Sequence, residues 1–184
     1  MRNHNEMLRR VSDSLREIAE TLDPIYRELE AWGPLYEQKQ AMLALRSPGE
    51  ERSAAYAELA ELALSQLEDV PSALMWYGEG FKELPEADEC RVQLHALALE
   101  HGYAEALVQL YAEARERVTD TDRLVSIATW IAVVYIDQLE AWEAAEGELL
   151  YARQLDEDRF ETFELLDRVV LQKERLWDVL EHAD

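Results

Sequence analysis

Cysteine and histidine, which often serve as nucleophiles and metal ligands, are scarce in this sequence. Its 184 residues include one cysteine and four histidines. The cysteine, Cys90, follows Asp88 and Glu89 directly. Because neighbouring negative charges oppose ionisation of a thiol, the sequence favours a small packing residue over a reactive nucleophile at this position.

The histidines also lack the spacing of known metal sites. A carboxylate-bridged di-iron bundle needs Glu-x-x-His pairs on facing helices. The residues three positions before His95, His101 and His182 are Val92, Ala98 and Val179. His95 and His101 do not share a helix face at one-turn spacing, which argues against a metal pair there.

Motifs for other chemistry are absent from the sequence too. It has no Gly-rich phosphate loop followed by Lys-Ser/Thr, no Gly-x-Ser-x-Gly turn and no His-Glu-x-x-His helix. Pairs of Glu and Asp at helical spacing are abundant, but such pairs are more often a solvated face than an acid/base dyad. We therefore expect a protein that is not an enzyme and that holds no metal or cofactor.

Charge is the strongest compositional signal, and it is unevenly distributed. The chain has 40 acidic and 18 basic residues, for a net charge of -22. Residues 1–49 hold 8 acidic and 7 basic side chains, whereas residues 50–184 hold 32 and 11. Such a field repels phosphate backbones and anionic lipids, so we expect no nucleic-acid or membrane binding and favour a basic partner.

The acidic excess also has a structural explanation, and it does not extend to residues 1–49. Glu is a good helix former and acidity keeps proteins soluble, which accounts for much of the excess without any partner. The near-neutral residues 1–49 are a different environment, and we expect a different kind of contact there.

The sequence also predicts a cytoplasmic protein. A single cysteine rules out an intramolecular disulfide framework and fits a reducing compartment. No stretch approaches the roughly 18 uncharged apolar residues of a membrane span. Residues 1–16 lack the continuous apolar core of a signal peptide.

Apolar spacing is helical almost throughout the chain. The first stripe, Leu8, Val11, Leu15, Ile18 and Leu22, ends where Asp23-Pro24 is expected to interrupt or restart the helix. Ser47-Pro48-Gly49 is the clearest turn signal. The pattern predicts an all-α fold of about ten helices in five antiparallel hairpins. Their approximate bounds are 5–46, 50–84, 86–118, 121–155 and 158–183, within a single domain of residues 1–184.

A frame of small, aromatic and proline positions occurs twice. Its members are Ala73, Tyr77, Gly80 and Pro85, followed 72 residues later by Ala145, Leu149, Ala152 and Glu157. Self-similarity at a fixed period is typical of repeat proteins, whose units bury their apolar faces against neighbouring units. The hairpin between the two copies keeps Ala106 and Leu110 but has Glu113 and Val118 where the frame would have a small residue and proline.

This frame resembles the second helix of a tetratricopeptide repeat. The segment from Leu22 to Glu28, followed by Trp32, and Leu67-Glu68-Asp69 before Ala73 are further similar to degenerate repeats of long bacterial arrays of this family. Ala57 and Thr129 depart from the family, which typically has tryptophan there. The resemblance covers residues 20–184 and implies a right-handed α-solenoid.

The resemblance also implies a binding surface, because the first helix of each such hairpin lines a concave face that docks a peptide. That face would present Glu58, Leu62, Ser65, Gln66, Arg91, His95, Trp130, Val134, Asp137 and Gln138. Trp130 would serve as an aromatic anchor while polar neighbours set the register. The competing interpretation is that Trp130 and Val134 are core residues, since the stripe of their helix is broad.

These observations favour a non-catalytic interaction or scaffold module that binds a basic or amphipathic protein segment. One alternative is a small acidic chaperone or inhibitor that shields a basic protein surface. Another is a structural segment of a larger assembly, which would self-associate end-on through a terminal helix. That helix carries Leu176, Trp177, Val179 and Leu180.

Overall fold

A computed structural model describes the backbone of residues 2–181 and, within that range, all side chains except those of residues 2–5, 8, 176 and 178–181. The regular secondary structure of this part of the chain is all helical, with a single 3-10 helix at Leu43–Leu45. The α-helices are α1 (Arg2–Glu28), α2 (Trp32–Met42), α3 (Glu50–Gln66), α4 (Val70–Glu83), α5 (Glu89–Glu100), α6 (Ala104–Arg115), α7 (Thr121–Asp137), α8 (Trp142–Leu155) and α9 (Phe160–Glu181). The predicted all-α class with about ten helices is confirmed.

Two helix boundaries differ from the sequence-based expectation. α1 continues through Pro24 to Glu28 instead of stopping at Asp23-Pro24. Arg27 Nε lies 2.6 Å from Asp23 Oδ1, so an ion pair between residues four apart spans the proline. α9 is one helix where two were expected, because the segment between Val170 and Leu176 contains no glycine or proline to end it.

The chain forms two compact units, residues 1–94 and residues 95–184. In the first unit, α1 packs on α2, α2 on α3 and α3 on α4. Its core side chains include Leu35, Leu59, Ala60, Ala73, Tyr77 and Phe81. The predicted turn before α3 is present, with Gly49 at a φ of 90°, a left-handed conformation that favours glycine.

The tightest helix crossing in this unit lies at Gly80 of α4. A Cβ on this residue would lie 2.5 Å from Cys90 Sγ and 3.2 Å from Tyr56 Cβ. Ser53 Oγ donates a hydrogen bond of 3.0 Å to the Gly80 carbonyl oxygen. Burial raises the pKa of the Cys90 thiol, so this cysteine packs beneath α4 as an un-ionised side chain.

In the second unit, α7 packs against α6, α8 and α9. Its apolar stripe is buried along its whole length, through Val125, Ile127, Ala128, Ile131, Val134 and Ile136. Asp120 caps the helix, accepting a hydrogen bond of 2.8 Å from the Arg123 backbone N–H. Ala132, Ile136, Ala145, Leu149, Leu166 and Val169 form one core cluster that joins α7, α8 and α9.

The repeated frame marks packing positions in both units. Ala73, Tyr77, Gly80 and Pro85 are all buried, and so are Ala145, Leu149 and Ala152. Glu157, which replaces the proline in the second copy, is exposed. The shared spacing therefore corresponds to shared burial on α4 and α8.

Candidate functional site

The four residues predicted on the inner face of α3 border a single pocket. Glu58, Leu62, Ser65 and Gln66 line a concavity of about 220 Å³ together with Arg27, Trp32, Lys39 and Glu61. Leu62 is 6% exposed and forms part of the floor, whereas Glu58, Ser65 and Gln66 are exposed. α1 and α2 thus supply one wall of the pocket and α3 the other.

A second pocket of about 270 Å³ adjoins the first. Lys39 and Glu58 border both. The second pocket is lined by Arg16, Ala19, Glu20, Asp23, Pro24, Gln38, Lys39, Met42, Arg46, Ala55 and Glu58. We call the two pockets together the α3 groove.

An ion cluster of Arg27, Asp23, Lys39 and Glu58 lies where the two pockets meet. Lys39 Nζ lies 2.8 Å from Asp23 Oδ2 and 3.0 Å from Glu58 Oε2. Burial acts to raise the pKa of Asp23, but hydrogen bonds from Lys39 and Arg27 outweigh it and the pKa is lowered. The ion pairs of this cluster tie α1, α2 and α3 together.

The groove walls contain one buried donor and one buried acceptor without a hydrogen-bond partner among the described residues. They are Arg16 Nε and Gln38 Oε1. The other end of each side chain is engaged: Gln38 Nε2 donates to the Ala19 carbonyl oxygen at 2.8 Å, and Arg16 Nη2 donates to the Leu45 carbonyl oxygen. Since burying an unpaired polar atom costs free energy, these two atoms are candidates for pairing with a bound molecule or water.

In the second unit, Trp130 of α7 is half-buried between a cation and an aromatic ring. The Arg123 guanidinium carbon lies 4.7 Å from the centre of the Trp130 ring, and the Tyr111 ring centre lies 6.0 Å away. Val134 is 1% exposed and lies in the core. Val134 is therefore a core residue, whereas Trp130 lies at the edge of the core.

The remaining predicted residues of α5 and α7 have polar partners. The His95 Nδ1 atom is 3.0 Å from the Tyr111 hydroxyl oxygen, and Arg91 Nε donates to Asp88 Oδ1 at 2.8 Å. Asp137 is exposed and accepts a hydrogen bond of 2.5 Å from Arg168 Nη2. Gln138, at the C-terminal end of α7, is exposed.

Sequence reasoning missed the α1 and α2 side of the groove. Arg27, Trp32 and Lys39 lie on a hairpin whose inner face the repeat frame does not mark. The near-neutral charge of residues 1–49 was the available signal, because the cations of the groove all come from that segment.

The described residues contain neither a metal site nor a membrane span. Among the side chains that the structure describes, no group of three or more His, Cys, Asp or Glu is placed to hold a metal ion. No helix in the described part of the chain combines the length and apolar character needed to cross a bilayer. Of the residues predicted for end-on association, Trp177 is 66% exposed, and the side chains of Leu176, Val179 and Leu180 lie outside the described residues.

Comparison with known proteins adds no family assignment. The resemblance to tetratricopeptide repeats rests on the sequence positions quoted above. No protein-family model matches this chain, and no curated protein matches it.

Proposed function

We propose that this chain is a non-catalytic interaction module that binds an amphipathic protein segment with basic side chains, and that the α3 groove receives it. The main support is that the four α3 residues predicted from the repeat resemblance border one continuous groove. Four residues that the resemblance implies thus line one concavity.

The chemistry of the groove suits a polypeptide better than a small metabolite. Its lining alternates apolar surface from Trp32, Leu62 and Met42 with both signs of charge. Glu58 and Glu61, which are exposed on α3, offer carboxylates to basic side chains of the segment. Arg16 and Gln38 add polar side chains to the lining of the second pocket.

Binding to an array of synthetic peptides tests this proposal. The array contains basic amphipathic, acidic amphipathic and uncharged sequences, and we expect the first class to bind. Ser65→Trp places a large ring in the groove and is expected to weaken that binding about tenfold or more, as anchor pockets dominate peptide affinity. Met75→Trp, on the exposed side of α4, is the matched control and should leave binding unchanged.

Salt dependence separates groove binding from simple charge shielding. Binding through exposed charges weakens steeply as ionic strength rises, because the screening length shortens. Groove binding should retain most of its affinity at high ionic strength. Binding that is lost at high ionic strength and is unchanged in Ser65→Trp would instead support the acidic chaperone or inhibitor. A Trp130→Ala variant tests the second unit in the same assay, and unchanged affinity removes Trp130 as an anchor.

A further inference from the structure

α1 presents its apolar side away from the helices that it packs on. Val11, Leu15, Ile18, Leu22 and Ile25, which we call the α1 stripe, run along one side of the helix. Four of them are 44–54% exposed, and Leu22 is half-buried. In a helix that served only as the outer layer of a hairpin, this side would face inward.

The contacts of α1 with its own unit are made by a different side of the helix, and many of them are polar. Asp23 pairs with Lys39, the Ala19 carbonyl oxygen accepts from Gln38, and Arg16 donates to the Leu45 carbonyl oxygen. The α1 stripe is therefore not occupied by α2.

The spacing of the α1 stripe is that of a coiled-coil seam. Successive members are four, three, four and three residues apart, which is the alternation of a and d positions in a heptad repeat. Leu8 and Leu29 extend the same spacing at both ends. Of the positions beside the seam, Ser12, Ser14, Ala19, Thr21 and Tyr26 are uncharged and Glu28 is charged, so little like-charge repulsion opposes a second helix.

Charge along α1 indicates which helix could cover the stripe. Residues 2–16 contain four arginines and two acidic residues, whereas residues 17–28 contain four acidic residues and one arginine. Two copies of α1 running in opposite directions place the basic half of each beside the acidic half of the other. A parallel pair would place like charges together.

We propose that α1 pairs antiparallel with α1 of a second copy of this chain, forming a homodimer through the α1 stripe. Leu15 of each copy lies opposite Ile18 of the other, and Val11 lies opposite Leu22, since a positions meet d positions in antiparallel pairs. This surface is distinct from the α3 groove and from the predicted end-on contact at Trp177.

Molar mass by light scattering across the micromolar range tests the interface. We expect a dimer for the full chain and a monomer for Leu15→Glu/Ile18→Glu, with unchanged helix content by circular dichroism. Leu150→Glu, at an exposed position of α8, and Ser65→Trp are controls that should stay dimeric. A wild-type monomer throughout the range, or a dimer that survives the double substitution, would overturn the proposal; if only Trp177→Glu gives a monomer, the end-on contact is the interface.

The direction of the pair is measured with spin labels on Glu6→Cys. The native Cys90 is buried and should remain unlabelled. With the pairing above, the two labelled positions are offset by 21 residues, or about 32 Å along the helix at about 1.5 Å per residue. A parallel pair would hold the labelled backbones only about 10 Å apart, and that result would contradict the antiparallel arrangement.

Discussion

α1 and α7 are both helices with an apolar stripe, but the two stripes have opposite environments. On α7, Ile127, Ile131 and Val134 are at most 1% exposed and pack among neighbouring helices. On α1, Ile18 is 54% exposed, and the helix is attached to its unit by several ion pairs and hydrogen bonds. Apolar periodicity therefore predicts that a stripe will be covered, but it does not say by what.

The largest expected contrast comes from truncating one isoleucine on each helix. Ile131→Ala should lower the free energy of unfolding by about 2–5 kcal/mol, because it leaves a cavity in a closed core. Ile18→Ala should change it by less than about 0.5 kcal/mol at concentrations where the chain is monomeric. Urea denaturation measures both, and equal losses would contradict the distinction between the two stripes.

This contrast also marks how far the sequence could predict the fold. Helical spacing and the Gly and Pro signals were sufficient for the helices from α3 to α8, because each of those helices has buried apolar side chains. They were insufficient at Pro24, where α1 continues to Glu28 and an ion pair between Arg27 and Asp23 spans the proline. That pair depends on side-chain geometry, which residue types alone do not specify.

The sequence could predict the part of the α3 groove that lies on a single helix. Glu58, Leu62, Ser65 and Gln66 lie on one helix, so spacing alone places them on a common face. Lys39 reaches Glu58 only through the packing of α2 on α3. A contact between elements of this kind has no signature in a single sequence.

Two helical glycines differ in the space around them. Gly80→Ala should destabilise the chain by about 1–3 kcal/mol, since its Cβ would meet Cys90 Sγ at 2.5 Å. Gly147→Ala, in α8, meets no atom within 4 Å and should stabilise the helix by about 0.4–1 kcal/mol. Thermal unfolding distinguishes the two directions, and partial rescue of Gly80→Ala by Cys90→Ala would locate the clash.

The polar attachment of α1 should be sensitive to the charge of Asp23. The pKa of this carboxyl is lowered below its ordinary value of 3.8 in the folded chain, so its contribution to stability is complete above 3.8 and is lost as pH falls through the lower folded value. Asp23→Asn imitates the protonated state at neutral pH. We expect faster amide hydrogen exchange in α1 with little change in α7, and Asp13→Asn, at an exposed position of α1, should have little effect on either helix.

The smallest effect is expected at Glu51, an exposed residue of α3 that accepts hydrogen bonds from Ser47. Hydrogen bonds from the Ser47 side chain and backbone lower the pKa of Glu51 from 4.5 to about 2. This lowered value favours the folded state above pH 4.5, and the advantage is lost as pH falls from 4.5 towards 2. Carbon-detected NMR titration should give a Glu51 midpoint near 2 in the native chain and a higher one in Ser47→Ala, which keeps the backbone donor of residue 47 and the Arg46 guanidinium but loses the serine hydroxyl. A midpoint near 4.5 in the native chain would mean that the loop before α3 does not hold Glu51 as described.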